Sequence, residues 1–226
     1  TALERITGAV KNSYGFVYGK NKAIGHTKYP SADSFARMLI DLNQYVKPRL
    51  YIMDGITAME GNGPGSGDPV AMNLILMSTD PVALDSVFAR LVYLKPEMVP
   101  TNYHGEKMGL GTWKEEEITL LTPDGEISMA EAVKKYGNPA FNVDRTEVRK
   151  NIWTRMAGAL NIFQKKPYIE ADKCVRCGIC VQSCPVPGKA VDFRKGKGKP
   201  PVYDYRKCIR CFCCQEMCPK KAIKVK

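Results

Sequence analysis

The chain has 226 residues, 44% of them hydrophobic, and a formal net charge of +11 at pH 7. That length and composition predict a globular protein with one ordinary domain and a second, small one, and they exclude a disordered chain. The longest apolar runs, Ala71–Met77 and Met156–Phe163, fall well short of the roughly 18 residues of a membrane span, so we predict a soluble protein with no membrane contact.

The first 144 residues alternate strand patterns with amphipathic helix patterns. The predicted helices are Ser31–Val46, with Ser31 as cap and Pro48 after its end, Pro81 to about Leu94, capped by Asp80, and Ser128–Tyr136. The predicted strands are Arg49–Asp54, Val70–Thr79 and Glu117–Leu121, the last followed by a turn at Pro123–Gly125. Because strands alternate with helices, we expect an α/β domain with a mainly parallel sheet.

The segment Asp54–Pro69 joins the first two predicted strands and is rich in glycine. It lacks the Gly-Lys-Ser/Thr ending of a P-loop, and Ser66 stands where a dinucleotide fingerprint needs glycine. Parallel sheets bind ligands in loops at the carboxyl ends of their strands, so we expect an anion or a hard cation here. A flexible surface loop is the alternative. The candidate residues are Asp54, Glu60, Gly61, Gly63, Gly65, Gly67 and Asp68.

Other candidates in this part have structural explanations. Asp80 and Asp85 lie at the start of a predicted helix, where capping and the helix dipole account for an acid. His26 and His104 are the only histidines, and we interpret each as a surface or hydrogen-bonded residue.

Three segments of this part carry a resemblance: Ile6–Asn12 (ITGAVKN), Asp54–Asp68 and Ser78–Asp85 (STDPVALD). They resemble the family known as domain of unknown function 362, whose members often end in a two-cluster ferredoxin. The resemblance implies no established reaction. It also implies an upstream α/β portion that is missing before Thr1, so we expect the chain to be a fragment or a trimmed form.

Eight of the nine cysteines form two copies of the spacing C-x2-C-x2-C-x3-C-P. In such runs three thiolates of one loop bind one [4Fe–4S] cluster, and the fourth cysteine binds the other cluster. The first predicted ligand set is Cys174, Cys177, Cys180 and Cys218. The second is Cys208, Cys211, Cys214 and Cys184.

Two other uses of these cysteines fit less well. A disulfide framework needs an oxidising compartment, and Thr1–Val10 lacks the apolar core of a signal peptide. Structural zinc needs two C-x2-C pairs for each ion and has no use for a third cysteine so close. The ninth cysteine, Cys213, lies between two predicted ligands, and we interpret it as a bystander rather than a substitute ligand.

Residues 165–226 resemble a bacterial-type two-cluster ferredoxin domain, matched across both motifs. In that family each half combines a short hairpin, a cluster loop and a helix, and a pseudo-twofold axis relates the halves. The matching strand positions are 168–170 and 202–205 before the motifs, and Ala190-Val191 and Ala222-Ile223 after them. We therefore divide the chain into an α/β domain at 1–144, a helical linker at 145–164 and this small α+β domain.

The excess of positive over negative charge lies entirely in the cluster domain. Residues 1–164 carry 18 basic and 18 acidic side chains, whereas residues 165–226 carry 16 basic and 5 acidic ones. Each oxidised cluster with its thiolates adds about −2, so the loaded protein stays positive, near about +7. Such a surface attracts an acidic redox partner, although a basic surface without a dedicated partner gives the same count. Nucleic acid is disfavoured, because stacking aromatics are sparse among these lysines and the sequence contains no known nucleic-acid-binding motif.

These features predict an iron–sulfur protein with two [4Fe–4S] clusters that passes single electrons to a redox partner. Two alternatives stay open: a ferredoxin-fed reductase with a small-molecule or anion site at Asp54–Asp68, and a nucleic-acid-binding protein with structural clusters. We expect an electron-transfer component rather than a self-contained enzyme. Reduced thiols and oxygen-labile clusters indicate the cytoplasm. Nothing in the sequence indicates an oligomeric state.

Overall fold

A computed structural model describes residues 4–18, 25–26, 28–29, 31–63, 66–146 and 166–225. Two compact units divide them. The first takes residues up to Gly63 and from Gly67 to Arg145, and the second takes the described residues from Lys166 onward. Most of the predicted helical linker at 145–164 lies outside the described residues. No helix of the described residues has both the length and the apolarity needed to cross a membrane.

The described helices of the first unit include the three whose capping residues the sequence predicts, and two others without a side-chain cap. They are α1 (Ala9–Asn12), α2 (Ala32–Val46), α3 (Pro81–Leu91), α4 (Pro100–Lys107) and α5 (Met129–Tyr136), with short 3-10 turns at Ser13–Phe16, Pro96–Met98 and Glu115–Glu117. Ser31 and Ser34 form a capping box at the start of α2, and Ser128 and Glu131 form one at α5. All three predicted helices are confirmed, although α3 ends three residues before Leu94.

Asp80 fixes the start of α3. Its Oδ1 accepts hydrogen bonds from the backbone N–H groups of Val82 (2.8 Å) and Ala83 (2.9 Å), while Pro81 occupies the first helical position. Its other oxygen accepts from Thr112 N–H at 2.9 Å. The predicted cap is therefore confirmed, and the same side chain also ties a distant segment to the helix.

The sheets of the first unit are antiparallel pairs, so the predicted mainly parallel sheet is wrong. The strands are β1 (Tyr51–Asn62) paired with β2 (Ser66–Ser78), and β3 (Leu120–Thr122) paired with β4 (Gly125–Ile127). Only three residues separate β1 from β2, whereas a parallel pair needs a crossover of about a dozen residues or more. The predicted turn at Pro123–Gly125 joins β3 to β4, and the third predicted strand begins at Leu120, later than expected.

The core of the first unit is built around α3, whose side chains are almost all buried. Two neighbouring clusters surround it. One includes Val87, Phe88 and Leu91 of α3 with Met72 and Leu74 of β2. The other joins Val82 of α3 to apolar side chains of α1 and α2, namely Val10, Phe35, Leu39 and Ile40. The β1–β2 pair therefore covers one side of α3 with alternate residues.

The second unit contains very short elements. They are β5 (Pro167–Ile169), α6 (Ile179–Gln182), β6 (Val191–Asp192), β7 (Val202–Tyr203), α7 (Cys213–Glu216) and β8 (Ile223–Val225). Strand β5 pairs antiparallel with β8, and β6 pairs antiparallel with β7. The four predicted strand positions are confirmed to within two residues. Each pair joins the strand that precedes one motif to the strand that follows the other motif, so the hairpin that the resemblance implies within each half is not found among the described residues.

Candidate iron–sulfur centre

One cavity of the second unit brings together cysteines from both motifs. We call it the first cavity; its lining includes Cys174, Cys177, Cys180 and Cys218. Ile169 of β5 and Ile223 of β8 form part of its wall. Three of its cysteines come from one loop and the start of α6, and the fourth follows α7 from the other motif. These four residues are the first predicted ligand set.

The second cavity has the reciprocal composition. Its lining includes Cys208, Cys211, Cys214 and Cys184. Tyr203 of β7 and Val191 of β6 occupy its wall, as the two isoleucines do in the first cavity. The fold therefore places each fourth cysteine beside the three cysteines of the other motif.

The two cysteine loops share one backbone conformation. Arg176 and Gly178 of the first motif have positive φ angles of 59° and 79°, and Arg210 and Phe212 of the second have 57° and 60°. Residues in this left-handed region, set among right-handed neighbours, turn successive backbone N–H groups into a concave surface that suits anions and iron–sulfur clusters. Phe212 adopts there a conformation that is costly for a bulky residue. The matched angles indicate that the two loops have the same backbone conformation at these positions.

Burial changes the acidity of two thiols that line the cavities. It raises the pKa of Cys180 to about 11 and that of Cys214 to about 12. A thiol must lose its proton to ligate metal, so these side chains need a cation to compensate the buried charge. The hydrogen bonds to sulfur atoms of the second cavity include one from Ala190 N–H to Cys184 Sγ at 3.3 Å and one from the Tyr203 hydroxyl to Cys214 Sγ at 3.1 Å.

Both cavities have the donor number and type that a [4Fe–4S] cluster requires. Among the described residues no three His, Cys, Asp or Glu side chains converge closely enough to hold a single metal ion. All nine cysteines are free thiols. The residues present therefore fit a cluster in each cavity.

Cys213 lies beside the second cavity but not in its lining. Its thiol interacts with Cys211, which lowers the pKa of Cys211 and raises that of Cys213. Its Sγ lies 4.0 Å from the carbonyl oxygen of Cys211. Cys213 lies outside the lining of both cavities, and its interpretation as a bystander stays a prediction.

The glycine-rich segment forms no loop at the end of a parallel strand, so that premise of the predicted ligand site is wrong. Asp54, Glu60 and Gly61 belong to β1, Gly67 and Asp68 belong to β2, Gly63 lies in the turn, and Gly65 is outside the described residues. Asp54 accepts a hydrogen bond from its neighbour Ile56 N–H at 3.0 Å. Glu60 accepts one from Asn142 N–H at 2.8 Å. The Asp54 bond lies within β1, whereas the Glu60 bond joins β1 to the segment after α5.

Asp85 has a role that the sequence did not reveal. It lies within α3, is 1% exposed, and accepts hydrogen bonds from Ala9 N–H (2.6 Å) and Val10 N–H (3.0 Å) of α1. A Cβ atom on Gly8 would lie 2.0 Å from its Oδ1, so only glycine permits this approach. The interpretation of Asp85 as a helix-start acid is therefore wrong. The side chain instead joins ITGAVKN to STDPVALD.

Comparison with known families gives one match in each of the two units. Residues 166–219 match a 4Fe-4S dicluster domain. The second unit is thus a [4Fe–4S]-binding domain, and the chain is an iron–sulfur protein. Residues 1–90 match the domain of unknown function DUF362. The two matches stand in the predicted order, which confirms the fusion expected from the sequence.

A curated relative shares part of the chain. It is the thylakoid-associated protein sll1697 of Synechocystis sp., 42% identical over 106 residues. The match covers 46% of the chain and 33% of the relative, so the chain spans about a third of that protein. No solved structure matches the chain.

Proposed function

We propose that the protein transfers single electrons through two [4Fe–4S] clusters, one in each cavity of the second unit. The observation that carries this proposal is the reciprocal sharing of cysteines: each cavity collects three from one motif and one from the other. The family match supports the kind of cofactor. When bound, each cluster supplies a one-electron couple.

The chain's own residues hold the clusters and set their environment. Four cysteines would ligate each cluster, and the left-handed residues beside them have the backbone conformation that is typical of concave anion-binding loops. Apolar side chains such as Ile169 and Ile223 form part of the wall of the first cavity. Thiolate ligation, hydrogen bonds to sulfur and burial are the factors by which a protein sets the potential of such a centre.

Anaerobic reconstitution tests this proposal. We expect about eight iron atoms per chain and a paramagnetic signal after reduction at low potential, because two clusters hold four irons each. Cys214→Ser should lose roughly half of the iron, whereas the matched control Cys213→Ser should keep all of it. Colourless protein, zinc in place of iron, or equal losses in both variants would contradict the proposal.

We further propose that the redox partner is acidic and that the exchange takes place in a reducing compartment such as the cytoplasm. The 16 basic and 5 acidic residues of the cluster domain support an acidic partner, since charge of one sign steers a partner of the other. Binding that weakens as salt rises is the expected behaviour. Retention of DNA or RNA with the same salt dependence would favour a nucleic-acid role instead.

A further inference from the structure

The two halves of the second unit carry different side chains at a structurally equivalent position in the wall of each cavity. Tyr203 and Ile169 each stand five residues before the first cysteine of a motif. Each also pairs with the strand that returns after a motif: Tyr203 with Val191, and Ile169 with Ile223. Both line the wall of their cavity. The internal repeat therefore permits a direct comparison of their side chains.

Tyr203 places a hydrogen-bond donor against a predicted ligand. Its hydroxyl donates to Cys214 Sγ at 3.1 Å. The neighbouring ring of Tyr205 stacks on it, with centroids 5.6 Å apart and planes inclined by 13°. Tyr205 is itself anchored, because its hydroxyl donates to the carbonyl oxygen of Pro167 at 2.9 Å. Strand pairing and stacking thus hold the Tyr203 hydroxyl on the sulfur.

Ile169 has no polar atom in its side chain and cannot make the corresponding bond. Ala171 also stands where the second half has Tyr205, three residues before the first cysteine, so the supporting ring has no counterpart at that position. The first cavity therefore presents an aliphatic wall where the second presents a hydroxyl donor.

We propose that Tyr203 makes the two centres unequal: its hydroxyl raises the reduction potential of the centre held by Cys214 above that of its twin. A donor to a ligand sulfur stabilises the more negative, reduced form, because that form places more charge on the sulfur. A single electron taken up by the chain then resides mainly on the Cys214 side. This inference rests on the proposed electron-transfer function.

A redox titration of the full chain, followed by paramagnetic resonance, tests the inference. We expect two reduction steps in the native protein. Tyr203→Phe, which removes only the hydroxyl, should lower the potential of the upper step by about 59 mV, which is a tenfold change in the ratio of reduced to oxidised centre. The lower step should stay in place. Tyr203→Ile, which copies the residue of the other half, should give the same shift.

Tyr205→Phe is the matched control, because its hydroxyl contacts a carbonyl and no sulfur; it should move neither step. Full iron content in Tyr203→Phe with both steps unshifted, or a shift equal to that of Tyr205→Phe, overturns the inference and leaves electron transfer intact. If the native protein takes up no iron or cannot be reduced, the proposed function fails, and this inference fails with it.

Discussion

Asp85 is a buried residue whose side chain links two segments of the first unit. Its carboxyl lies in α3 and binds two backbone N–H groups of α1. Burial raises its pKa to about 7, although those two bonds lower it, and the charge of Asp80 adds to the increase. The carboxyl is therefore largely protonated in the folded chain at pH values where it is ionised in the unfolded chain.

The pKa of Asp85 predicts a dependence of stability on pH. Between about pH 4 and pH 7 the folded state binds a proton that the unfolded state has lost, so the free energy of unfolding falls as the pH rises. Relative to Asp85→Asn, the native protein should lose on the order of 4 kcal/mol across that window. Denaturant unfolding at a series of pH values, followed by tryptophan fluorescence, measures this difference.

The comparison between the two proteins isolates Asp85. Glu4, whose pKa burial raises to about 8, is present in both and cancels. Asp124→Asn, at an exposed carboxyl in the β3–β4 turn, should keep the native slope. Parallel pH profiles for the native protein and Asp85→Asn would show that Asp85 has no raised pKa.

At the scale of elements, α6 and α7 carry the chain from one cavity to the other. Cys184 follows α6 and lines the second cavity, while Cys218 follows α7 and lines the first. Each helix is only four residues long. One turn of helix at about 1.5 Å per residue is enough to move the fourth cysteine out of its own loop.

Pairs of substitutions distinguish exchanged from unexchanged ligation. Cys174→Ser with Cys218→Ser should leave about four irons, because both residues serve the same cluster. Cys208→Ser with Cys218→Ser should remove nearly all iron, because each residue serves a different cluster. Iron analysis of anaerobically prepared protein checks this. The opposite pattern, with the second pair retaining half of the iron, would show that each motif keeps its own fourth cysteine.

At the scale of the whole molecule, the two units have different sources of stability. The first unit buries apolar side chains around α3. In the second, the main buried cluster comprises Cys180, Cys184, Ala190, Val191, Cys214 and Ile223. Half of these are predicted cluster ligands, and the surrounding strands and helices have two to four residues. We therefore expect bound metal to supply folding free energy to the second unit in particular.

Removal of iron should consequently loosen one unit and spare the other. After anaerobic chelation we expect faster amide hydrogen exchange in peptides from residues 166–225, because their small core loses its centre. Peptides from residues 31–63 and 67–146 should exchange at the native rate and serve as the internal control. Equal acceleration in both sets would mean that the units do not fold independently.

Much of the cluster domain could be predicted because its signals are local. The spacing of the cysteines determines how many thiolates one loop can supply. The cysteines of each motif therefore predict the cofactor without knowledge of the tertiary structure. Helix caps are local too: Ser31, Asp80 and Ser128 each bond to N–H groups within the next three residues. The predicted helix starts are confirmed because no contact with a distant part of the chain displaces these local hydrogen bonds.

The sheet prediction failed because pairing between two partner strands, and not the composition of the segment that joins them, decides where each strand ends. The glycines of Asp54–Pro69 have the composition of a loop, yet pairing between β1 and β2 extends both strands into that segment. Propensity is weak where partner strands supply the hydrogen bonds. The sequence could have signalled the hairpin only through the short distance between the two apolar runs.

By itself, the sequence determined the kind of cofactor, its eight predicted ligands and the helix starts, since spacing and capping act over a few residues. Only the tertiary structure decided the antiparallel pairing, the bond from Asp85 to α1, and the contact of Tyr203 with Cys214. The two hydrogen bonds join residues that are 76 and 11 positions apart, and the antiparallel pairing joins two separate strands. Their geometry follows from packing, which no local pattern encodes.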